Sequence, residues 1–487
     1  MTAVDLSSPA TPRDPGGPTA PATTPHGADV EGAEVNGAEV NGAEADGAEV
    51  GQRVPEFSVW PATVTEEPGG RVLLAGVPLT DIADAHGTPV YVLDEDEIRG
   101  RCRTYRAAFP APEAEVHYAA KAFLCRGLVR LVDEEGLGLD VCSAGELGLA
   151  VTAGFPPERI LLHGNAKSPA DLDTALRLGV GRIVIDSPAE IARLAAAVGP
   201  RGHQKVMLRV TPGVGAGGHA KVRTGTDGQK FGLSLRDGHA QHAVARVLDQ
   251  PQLELTGLHC HLGSQITETK PYLTALRRLV GLMARIRDAH GVALPELDLG
   301  GGHGIAYRPG DPVLDPTALA RRLRAALAES CAAAGLPVPR LLVEPGRAVV
   351  GPAGVALYRV LAVKTTGGRG FVAVDGGMSD NPRPTLYGAR YAPRLIGRRS
   401  TAPAVRTTVA GRHCEAGDLL AEDVDLPADI RPGDLLAVPV AGAYQLSMAS
   451  SYNLVGRPPV VAVRDGAARL LVRRETLEDL RARDVGL

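Results

Sequence analysis

The sequence predicts an α/β protein in which a TIM (β/α)8 barrel is followed by an all-β domain. Two observations predict this fold class. From residue 85 to residue 348, short β-branched runs alternate with Ala/Leu/Arg-rich stretches at helical spacing, and eight such units over roughly 250 residues match a barrel of this type. From residue 349 onwards, short strand-like runs are separated by Gly and Pro, which indicates a second domain without regular helices.

Eight runs are predicted to be the barrel strands. Each is short and apolar, as expected for parallel strands that are covered on both faces. In chain order they are EVHYA (115–119), GLDVCS (138–143), ILLHG (160–164), RIVIDS (182–187), KVMLRVTP (205–212), LTGLHCHLG (255–263), ELDLGGG (296–302) and RLLVEPG (340–346).

Every predicted strand ends in residues that could carry chemistry. The active site of such a barrel lies at the C-terminal ends of its strands, so we expect these residues to point to one place. They are Lys121, Asp140 with Ser143, His163 with Asn165, Asp186, Arg209, His261 with Ser264, Gly300 to Gly302, and Glu344.

The β domain is predicted to comprise residues 53–84 and 349–487 and to complete the active site. Its strands include VALYRVLAV, GFVAVDGG and LLAVPVAG, and Asp465-Gly466 predicts the turn of a hairpin. The N-terminal run RVLLAGVPL is expected to pack with this domain. Residues 1–52 are predicted to be a disordered, acidic, low-complexity tail, because they repeat GAEVN-like units and lack a periodic apolar face.

The composition argues against several classes of protein. The net charge is −4, and no basic stripe indicates a nucleic-acid partner. No apolar run reaches the roughly 18–20 residues of a membrane span, and the N-terminus does not resemble a signal peptide. The six cysteines form no CxxC pair, which is typical of a reducing compartment. We therefore expect a cytoplasmic protein without nucleic-acid or membrane partners.

Lys121 lies at the end of the first barrel strand, between alanines and Phe123. Burial favours the neutral form of a lysine, and a neutral amine attacks carbonyl groups to form imines. The chain contains few lysines beside many arginines, and arginine cannot perform this reaction. We therefore predict that Lys121 is an imine-forming nucleophile.

Three further motifs complete the predicted site. GGGHG (300–304) could bring backbone N–H groups close to a phosphate, although a tight turn explains it equally well. In HCHLGS (259–264), a third zinc ligand is lacking beside His259 and His261, so we predict no metal and instead a His261 ring stacked on an aromatic cofactor. In EPGR (344–347), Glu344 could neutralise a protonated ring nitrogen and Arg347 could bind an anion, or the two could form a surface ion pair.

An imine-forming lysine, a stacking histidine, phosphate-binding glycines and an acid for a pyridinium together describe a site for pyridoxal 5′-phosphate (PLP). The chain is similar to the diaminopimelate decarboxylase family, which belongs to the alanine-racemase-like, fold-type III PLP enzymes. The resemblance covers residues 55–487. It rests on YAAKAF, GLDVCSAGEL, HGNAKS, HCHLGSQ, DLGGGHGIAY, EPGRAVVGP, DGGMSDNPRPTLYGARY, CEAGD and GAYQLSMASSYN.

The resemblance implies a role for each matching residue. Lys121 would carry the cofactor, and Cys414 with Glu415 would come from the second subunit of a homodimer with shared sites, Cys414 donating a proton. The cofactor-binding residues would be Asp140, Arg209, His261, Ser264, Gly300, Gly301, Gly302, Glu344, Pro345, Gly346, Arg347 and Tyr444. The residues that bind the substrate would be Arg347, Arg383, Tyr387, Glu415 and Tyr444.

The implied reaction is the decarboxylation of meso-2,6-diaminopimelate to L-lysine and CO₂, the last step of lysine biosynthesis. A decarboxylase of the same fold that acts on another basic or carrier-tethered amino acid, in a specialised pathway, is an alternative. A racemase would share the fold, but racemases of this fold pair the ring nitrogen with arginine rather than with an acid such as Glu344. A non-catalytic PLP-binding protein would need Lys121 but not Cys414 or Arg383.

Overall fold

The computed structural model describes residues 57–217 and 224–486. The tail predicted for residues 1–52 lies outside these ranges. The described residues form a closed parallel β-barrel with surrounding helices and a separate β-sheet region. Within these ranges, every helix is too short or too polar to cross a membrane.

The strands alternate with helices through the first half of the chain and dominate the second half. In chain order the strands are β1 (Thr65–Glu67), β2 (Arg71–Leu74), β3 (Val77–Pro78), β4 (Val90–Asp94), β5 (Ala114–Ala119), β6 (Gly138–Val141), β7 (Ile160–Leu162), β8 (Arg182–Ile185), β9 (Gln204–Thr211), β10 (Leu233–Ser234), β11 (Leu253–His259), β12 (Glu296–Asp298), β13 (Arg340–Val343), β14 (Gly354–Thr366), β15 (Arg369–Val374), β16 (Arg394–Ile396), β17 (Ala404–Ala410), β18 (Leu419–Pro427), β19 (Leu435–Pro439), β20 (Val460–Arg464) and β21 (Ala467–Val472).

The helices lie mainly between the barrel strands. They are α1 (Leu79–His86), α2 (Glu95–Ala108), α3 (Arg126–Glu134), α4 (Ala144–Thr152), α5 (Pro169–Leu178), α6 (Pro188–Val198), α7 (His239–Leu248), α8 (Lys270–His290), α9 (Pro316–Ala334), α10 (Arg347–Val350), α11 (Arg383–Tyr387) and α12 (Leu477–Arg481). Single 3₁₀ turns span Ala120–Ala122, Pro157–Arg159, Leu446–Met448 and Tyr452–Leu454.

All eight predicted barrel strands are confirmed. They correspond to β5–β9 and β11–β13, which pair in parallel, and the pairing of β13 with β5 closes the barrel. Serines after three of these strands begin the next helices: the side chains of Ser143, Ser168 and Ser187 each accept a backbone N–H of the first turn. Ser143 therefore caps α4, and the expectation that it points into the active site is wrong.

The barrel interior is filled in layers by alternate residues of the strands. At the N-terminal end, Arg182 and Arg340 form ion pairs with Glu296, at 2.5 and 3.0 Å. The next layer is apolar and fully buried, and consists of Leu161, Val184, Met207 and Leu342. Because side chains of a strand alternate between its two faces, the inward residues two positions further on reach the C-terminal end. They include His163, Asp186, Arg209 and Glu344.

The second sheet has the order β18-β17-β15-β14-β4-β20-β21, and β19 also pairs with β14 and β16. The predicted hairpin is confirmed, since β20 and β21 are antiparallel and Asp465 and Gly466 between them both have positive φ. The predicted division of the chain at residues 85 and 349 stays a prediction. Strand β4 falls in the range predicted for the barrel, but it is hydrogen-bonded to β14 and β20 in this second sheet.

The predicted contact between the N-terminal run and the C-terminal region is present. Strands β1–β3 form a small antiparallel sheet of their own. Its loops reach the second half of the chain, because Gly397 N–H donates to the Gly70 carbonyl at 2.9 Å and Gly466 N–H donates to the Ala75 carbonyl at 2.8 Å.

Candidate active site

A cavity of about 710 Å³ opens at the C-terminal ends of the barrel strands. Most of the predicted site residues line it, namely Lys121, Arg209, His261, Ser264, Gly302, Glu344, Gly346, Arg347, Arg383, Tyr387 and Tyr444. Asp140, Gly300, Gly301 and Pro345 lie directly behind these residues and contact them or their strands. The prediction that the strand ends gather the site residues in one place is therefore confirmed for these positions.

A larger cavity of about 1140 Å³ lies at the opposite, N-terminal end of the barrel. Arg106 donates to the Glu135 carbonyl, and the other three lining arginines already have acidic partners: Arg103 pairs with Glu135 at 2.9 Å, Arg159 with Asp133 at 2.5 Å and Arg182 with Glu296 at 2.5 Å. Their charges are therefore balanced within the chain, unlike those of two arginines in the C-terminal cavity described below. The C-terminal cavity is thus the candidate active site.

Lys121 lies in the 3₁₀ turn that follows β5, and its side chain is 38 % exposed through the cavity. Its Nζ is 3.0 Å from Oδ2 of Asp140, which is completely buried on the neighbouring strand β6. Burial by itself lowers the pKa of Lys121, but the Asp140 carboxylate outweighs burial and the net pKa is raised well above its usual value. The argument from burial alone took no account of Asp140, which favours the charged form of the amine, and the imine-forming role of Lys121 stays a prediction.

Glu344, at the end of β13, meets two histidines at the bottom of the cavity. Its Oε1 is 2.7 Å from Nε2 of His163, and its Oε2 is 3.4 Å from Nε2 of His259. Burial favours the neutral acid, but the two histidines outweigh burial and hold the pKa of Glu344 well below its usual value. Burial also lowers the pKa of His259 to about 4. The contacts around Glu344 therefore favour the charged form of this buried carboxyl.

This group of three side chains still has unused hydrogen-bonding capacity. The 2.7 Å contact lacks hydrogen-bond geometry, so Oε1 of Glu344 and Nε2 of His163 are buried without a hydrogen-bond partner among the described residues. One ligand atom from each of His163, His259 and Glu344 lies within 4.8 Å of the others, so the group could also hold a metal ion. This group differs from the pair His259 and His261, for which the sequence predicts no zinc. The absence of a metal stays a prediction.

The glycine loop after β12 forms the wall between Glu344 and His261. A Cβ atom on Gly301 would lie 2.0 Å from the Glu344 carbonyl oxygen, and one on Gly302 would lie 2.1 Å from the Gly263 carbonyl oxygen. No other residue fits these positions. The Gly301 N–H donates to Nδ1 of His261 at 3.3 Å, which fixes the histidine ring at the cavity. Behind the loop, buried Asp298 accepts the Gly300 N–H at 2.7 Å.

Arg347 and Arg383 lie above this loop among tyrosines. Arg347 donates to the hydroxyl of Tyr307 at 2.5 Å and to Oγ of Ser264 at 2.9 Å, and its guanidinium lies 4.5 Å from the centre of the Tyr444 ring. Arg383 is 5 % exposed, donates to the Tyr391 hydroxyl at 2.6 Å, and lies 4.6 Å from the centre of the Tyr307 ring. Within residues 57–217 and 224–486, neither guanidinium forms an ion pair with an acidic side chain.

Arg209 occupies the opposite wall, at the end of β9. Its guanidinium lies 4.4 Å from the centre of the Phe231 ring, and Nε is 3.7 Å from Oδ1 of Asp186. Asp186 in turn accepts the Gly232 N–H at 3.1 Å. These contacts connect the strand end to the segment around Phe231, which closes this side of the cavity.

Two predicted site residues, Cys414 and Glu415, neither line this cavity nor lie directly behind its lining. Both are exposed, in a turn between β17 and β18. Buried Asp418 orders the turn, since it accepts the His413 N–H at 2.7 Å and the Met378 N–H at 2.6 Å. The interpretation of Cys414 as part of a polar loop rather than of the core is confirmed.

The sequence did not assign roles to several residues that the structure brings to the cavity. His163 is predicted only as a strand end, and Lys167, Tyr307 and Tyr391 stand within motifs of the resemblance without an assigned role. The sequence feature that indicates an inward-facing His163 is its position in the same strand, two residues after the inward-facing Leu161. Lys167 is held under the cavity wall by Glu190 at 2.6 Å and by the carbonyls of Gly164 and Val184, at 2.9 and 2.6 Å.

Comparison with known proteins agrees with this arrangement. Residues 95–351 match a family model described as "Pyridoxal-dependent decarboxylase, pyridoxal binding domain". The chain is 57 % identical over 435 residues to a diaminopimelate decarboxylase of Actinosynnema pretiosum subsp. auranticum, covering 89 % of this chain and 97 % of that protein. It is 49 % identical over 441 residues to the diaminopimelate decarboxylase of Mycobacterium tuberculosis H37Rv, covering 88 % and 98 %.

A solved structure is similar over nearly the same length. The diaminopimelate decarboxylase of M. jannaschii, in co-complex with L-lysine, is 30 % identical and superimposes with a TM-score of 0.82, covering 87 % of this chain and 98 % of that one. The sequence relatives, the matched domain and the barrel with its lysine-bearing cavity agree with one another. The chain belongs to the diaminopimelate decarboxylase family of pyridoxal-dependent decarboxylases.

Proposed function

We propose that this protein decarboxylates meso-2,6-diaminopimelate to L-lysine and CO₂, the last step of lysine biosynthesis, with PLP as its cofactor. One observation carries the choice of substrate: Arg347 and Arg383 lack an acidic partner among the described residues, yet share a cavity with Lys121 and Glu344. A dicarboxylic amino acid supplies the missing negative charge, because its distal carboxylate can bind the arginines while its other end reaches Lys121. The names of the relatives support the same substrate.

The residues of the cavity fit PLP at its aldehyde, its ring nitrogen and its phosphate. Lys121 offers an amine for covalent attachment to the aldehyde, and Oε1 of Glu344, which accepts no hydrogen bond from the described residues, offers a partner for the ring nitrogen. The glycine loop, where a Cβ atom at Gly301 or Gly302 would clash, offers backbone N–H groups for the phosphate. PLP held by these residues would supply the electron sink for the pair that remains when the bond to CO₂ breaks.

Lys121 and Asp140 act together at the reacting end. Because Lys121 is held as a cation by Asp140, its amine has to lose a proton before it attacks a carbonyl group. Asp140 Oδ2, 3.0 Å away, is placed to accept that proton. The same contact orients Nζ within the cavity.

Glu344 acts at the opposite end, towards the ring nitrogen. Its charge favours a protonated pyridine, which is the form that withdraws electrons. His163 and His259 keep this carboxylate ionised although it is buried. A racemase of this fold would instead need an arginine at this place.

The remaining cofactor residues surround these two ends. Ser264, Tyr444 and the glycines at 300–302 hold the phosphate, with Arg347 beside Ser264. His261 stacks on the ring, and Arg209 closes the far wall. Pro345 and Gly346 shape the wall below the glycine loop, where Pro345 O accepts the Ala119 N–H at 3.3 Å.

The substrate is bound by Arg347, Arg383, Tyr387 and Tyr444. In a homodimer, Glu415 of the other subunit also contacts it. Cys414 of that subunit donates the proton that replaces CO₂ on the substrate carbon. The exposure of Cys414 and Glu415 on an ordered turn supports this arrangement, since exposed side chains are available to a second chain. All six cysteines are unpaired, which supports a reducing, cytoplasmic location.

Replacing Arg383 with alanine is expected to lower kcat/KM for diaminopimelate about 10- to 150-fold. The change removes hydrogen bonds to a charged carboxylate, which are worth about 1.5–3 kcal/mol. Steady-state CO₂ release measures the effect. Arg383→Lys keeps the charge but not the forked geometry, and should recover only part of the loss.

Arg321→Ala on the exposed face of α9 is the matched control and should behave like the parent protein. The melting temperature of each variant separates lost binding from lost folding, because Arg383 is buried. An Arg383→Ala protein that folds and keeps the parent kcat/KM would contradict the proposed substrate contact.

A further inference from the structure

Tyr307 lies between the two arginines that we propose for substrate binding. Its hydroxyl accepts a hydrogen bond from Nη1 of Arg347 at 2.5 Å. Its ring carries the guanidinium of Arg383 on one side, 4.6 Å from the ring centre. The side chain is 7 % exposed and lines the cavity. Tyr307 is thus a side chain through which the positions of Arg347 and Arg383 are linked.

Tyr307 offers the two arginines a ring face and a hydroxyl rather than an acidic group, which matters for the charge of the site. A carboxylate at this position would neutralise the arginines and compete with the substrate. An aromatic ring and a phenol hydroxyl instead stabilise the guanidinium groups without cancelling their charge. In the described part of the chain, the side chains that contact the guanidinium groups of Arg347 and Arg383 offer aromatic faces and hydroxyls. These side chains are Tyr307, Tyr391, Tyr444 and Ser264.

Tyr307 is itself held firmly in place. The side chain of Gln265 bonds both the N–H and the carbonyl of Ile305, at 3.0 and 2.8 Å. Asp311 accepts the Tyr307 N–H at 3.1 Å. The ring of Tyr391 packs edge-on against the Tyr307 ring, with centres 5.4 Å apart. The loop and the ring stack therefore fix Tyr307 before any substrate arrives.

We infer that Tyr307 is a positioning residue for substrate specificity, which fixes Arg347 and Arg383 as one pre-arranged binding point for the distal carboxylate at a set distance from Lys121. This inference rests on the proposed function. It assigns to Tyr307 no contact with the reacting carbon. Since a pre-organised site binds its ligand without first ordering the side chains, loss of Tyr307 should weaken binding of ligands that carry the distal carboxylate.

Two substitutions separate the two contacts. Tyr307→Phe removes the hydrogen bond to Arg347 and keeps the ring, whereas Tyr307→Leu removes both. We expect KM for diaminopimelate to rise about 5-fold in the first variant and about 10-fold or more in the second, with kcat within about 2-fold of the parent enzyme.

A pair of inhibitors distinguishes positioning from general damage to the site. Decarboxylation of diaminopimelate at one end leaves L-lysine, which still carries the carboxylate of the other end, while 1,5-diaminopentane has the same chain and no carboxylate. The inhibition constant of L-lysine should rise about 5- to 10-fold in the Tyr307 variants. That of 1,5-diaminopentane should stay within about 2-fold, and the visible absorbance of the bound cofactor should be unchanged.

Each result bears on a different claim. If the parent enzyme releases no CO₂ from diaminopimelate, the proposed function fails and this inference fails with it. If the parent enzyme is active but both inhibition constants rise together, or kcat falls while KM stays the same, the positioning role alone is overturned. If Tyr307→Leu does not fold, Tyr307→Phe still decides, because it preserves the ring and its packing.

Discussion

Replacing Lys121 with alanine is expected to lower kcat for diaminopimelate by at least about a thousandfold. Loss of a residue that bonds covalently during turnover can cost up to about 10⁶ in kcat. Among the described residues that line the cavity, Lys167 is the other lysine, and it cannot substitute because it is engaged by Glu190 and two backbone carbonyls. The measurement is CO₂ release by the purified variant, beside Lys364→Ala at the exposed C-terminal end of β14 as the control that should stay active.

Borohydride reduction followed by peptide mapping tests the same claim chemically. In the parent protein the reduced cofactor should be fixed to Lys121, and in Lys364→Ala it should be found at the same place. The Lys121→Ala protein should yield no labelled peptide. A label on Lys167 in the parent protein, or full activity of Lys121→Ala, would contradict the assignment.

Mixing two inactive variants should restore activity if each active site is built from two chains. Cys414→Ala is expected to lower kcat by about 10²–10⁴, the range for the loss of a positioned proton donor. Random exchange of equal amounts of Lys121→Ala and Cys414→Ala subunits makes half of the dimers mixed. In each mixed dimer one site carries both changes and the other carries neither, so activity should recover to about a quarter of the parent value.

A double variant provides the control for this experiment. When Lys121→Ala is mixed with Lys121→Ala/Cys414→Ala, both sites of the mixed dimer lack Lys121, and no recovery is expected. Native mass spectrometry should establish that mixed dimers form. If they form and Lys121→Ala with Cys414→Ala shows no recovery, then Cys414 either acts within its own chain or donates no proton.

The barrel could be predicted because its strands are buried on both faces and separated by helices, so that each appears as a short apolar run. The same signal fails for β4, whose five residues are all buried and resemble a barrel strand. Its place in the second sheet depends on hydrogen bonds to β14 and β20, which are more than 250 residues away in the sequence. Pairing between such distant segments leaves no pattern in the sequence of β4 itself. Strands β17 and β18 were not predicted, because polar, exposed residues interrupt their apolar positions.

The candidate site could be predicted where residues stand at strand ends, since period two and the barrel geometry bring them together. The charge of Lys121 could not be predicted from its apolar neighbours in sequence, because Asp140 lies on the adjacent strand. Tyr307 lies in an irregular loop, and its significance comes from contacts with Arg347 and Arg383, which are remote in sequence. Patterns along the chain indicate the ends of elements but not the contacts between loops.

The central claim is that this cavity decarboxylates an amino acid with a distal carboxylate, and CO₂ release from four substrates in parallel tests it most directly. We expect CO₂ from meso-2,6-diaminopimelate in equal amount to L-lysine, and kcat/KM at least about tenfold lower for lysine, ornithine and arginine, whose side chains bring no carboxylate to Arg383. Decarboxylation of lysine as efficient as that of diaminopimelate would contradict the account and favour a decarboxylase for another basic amino acid.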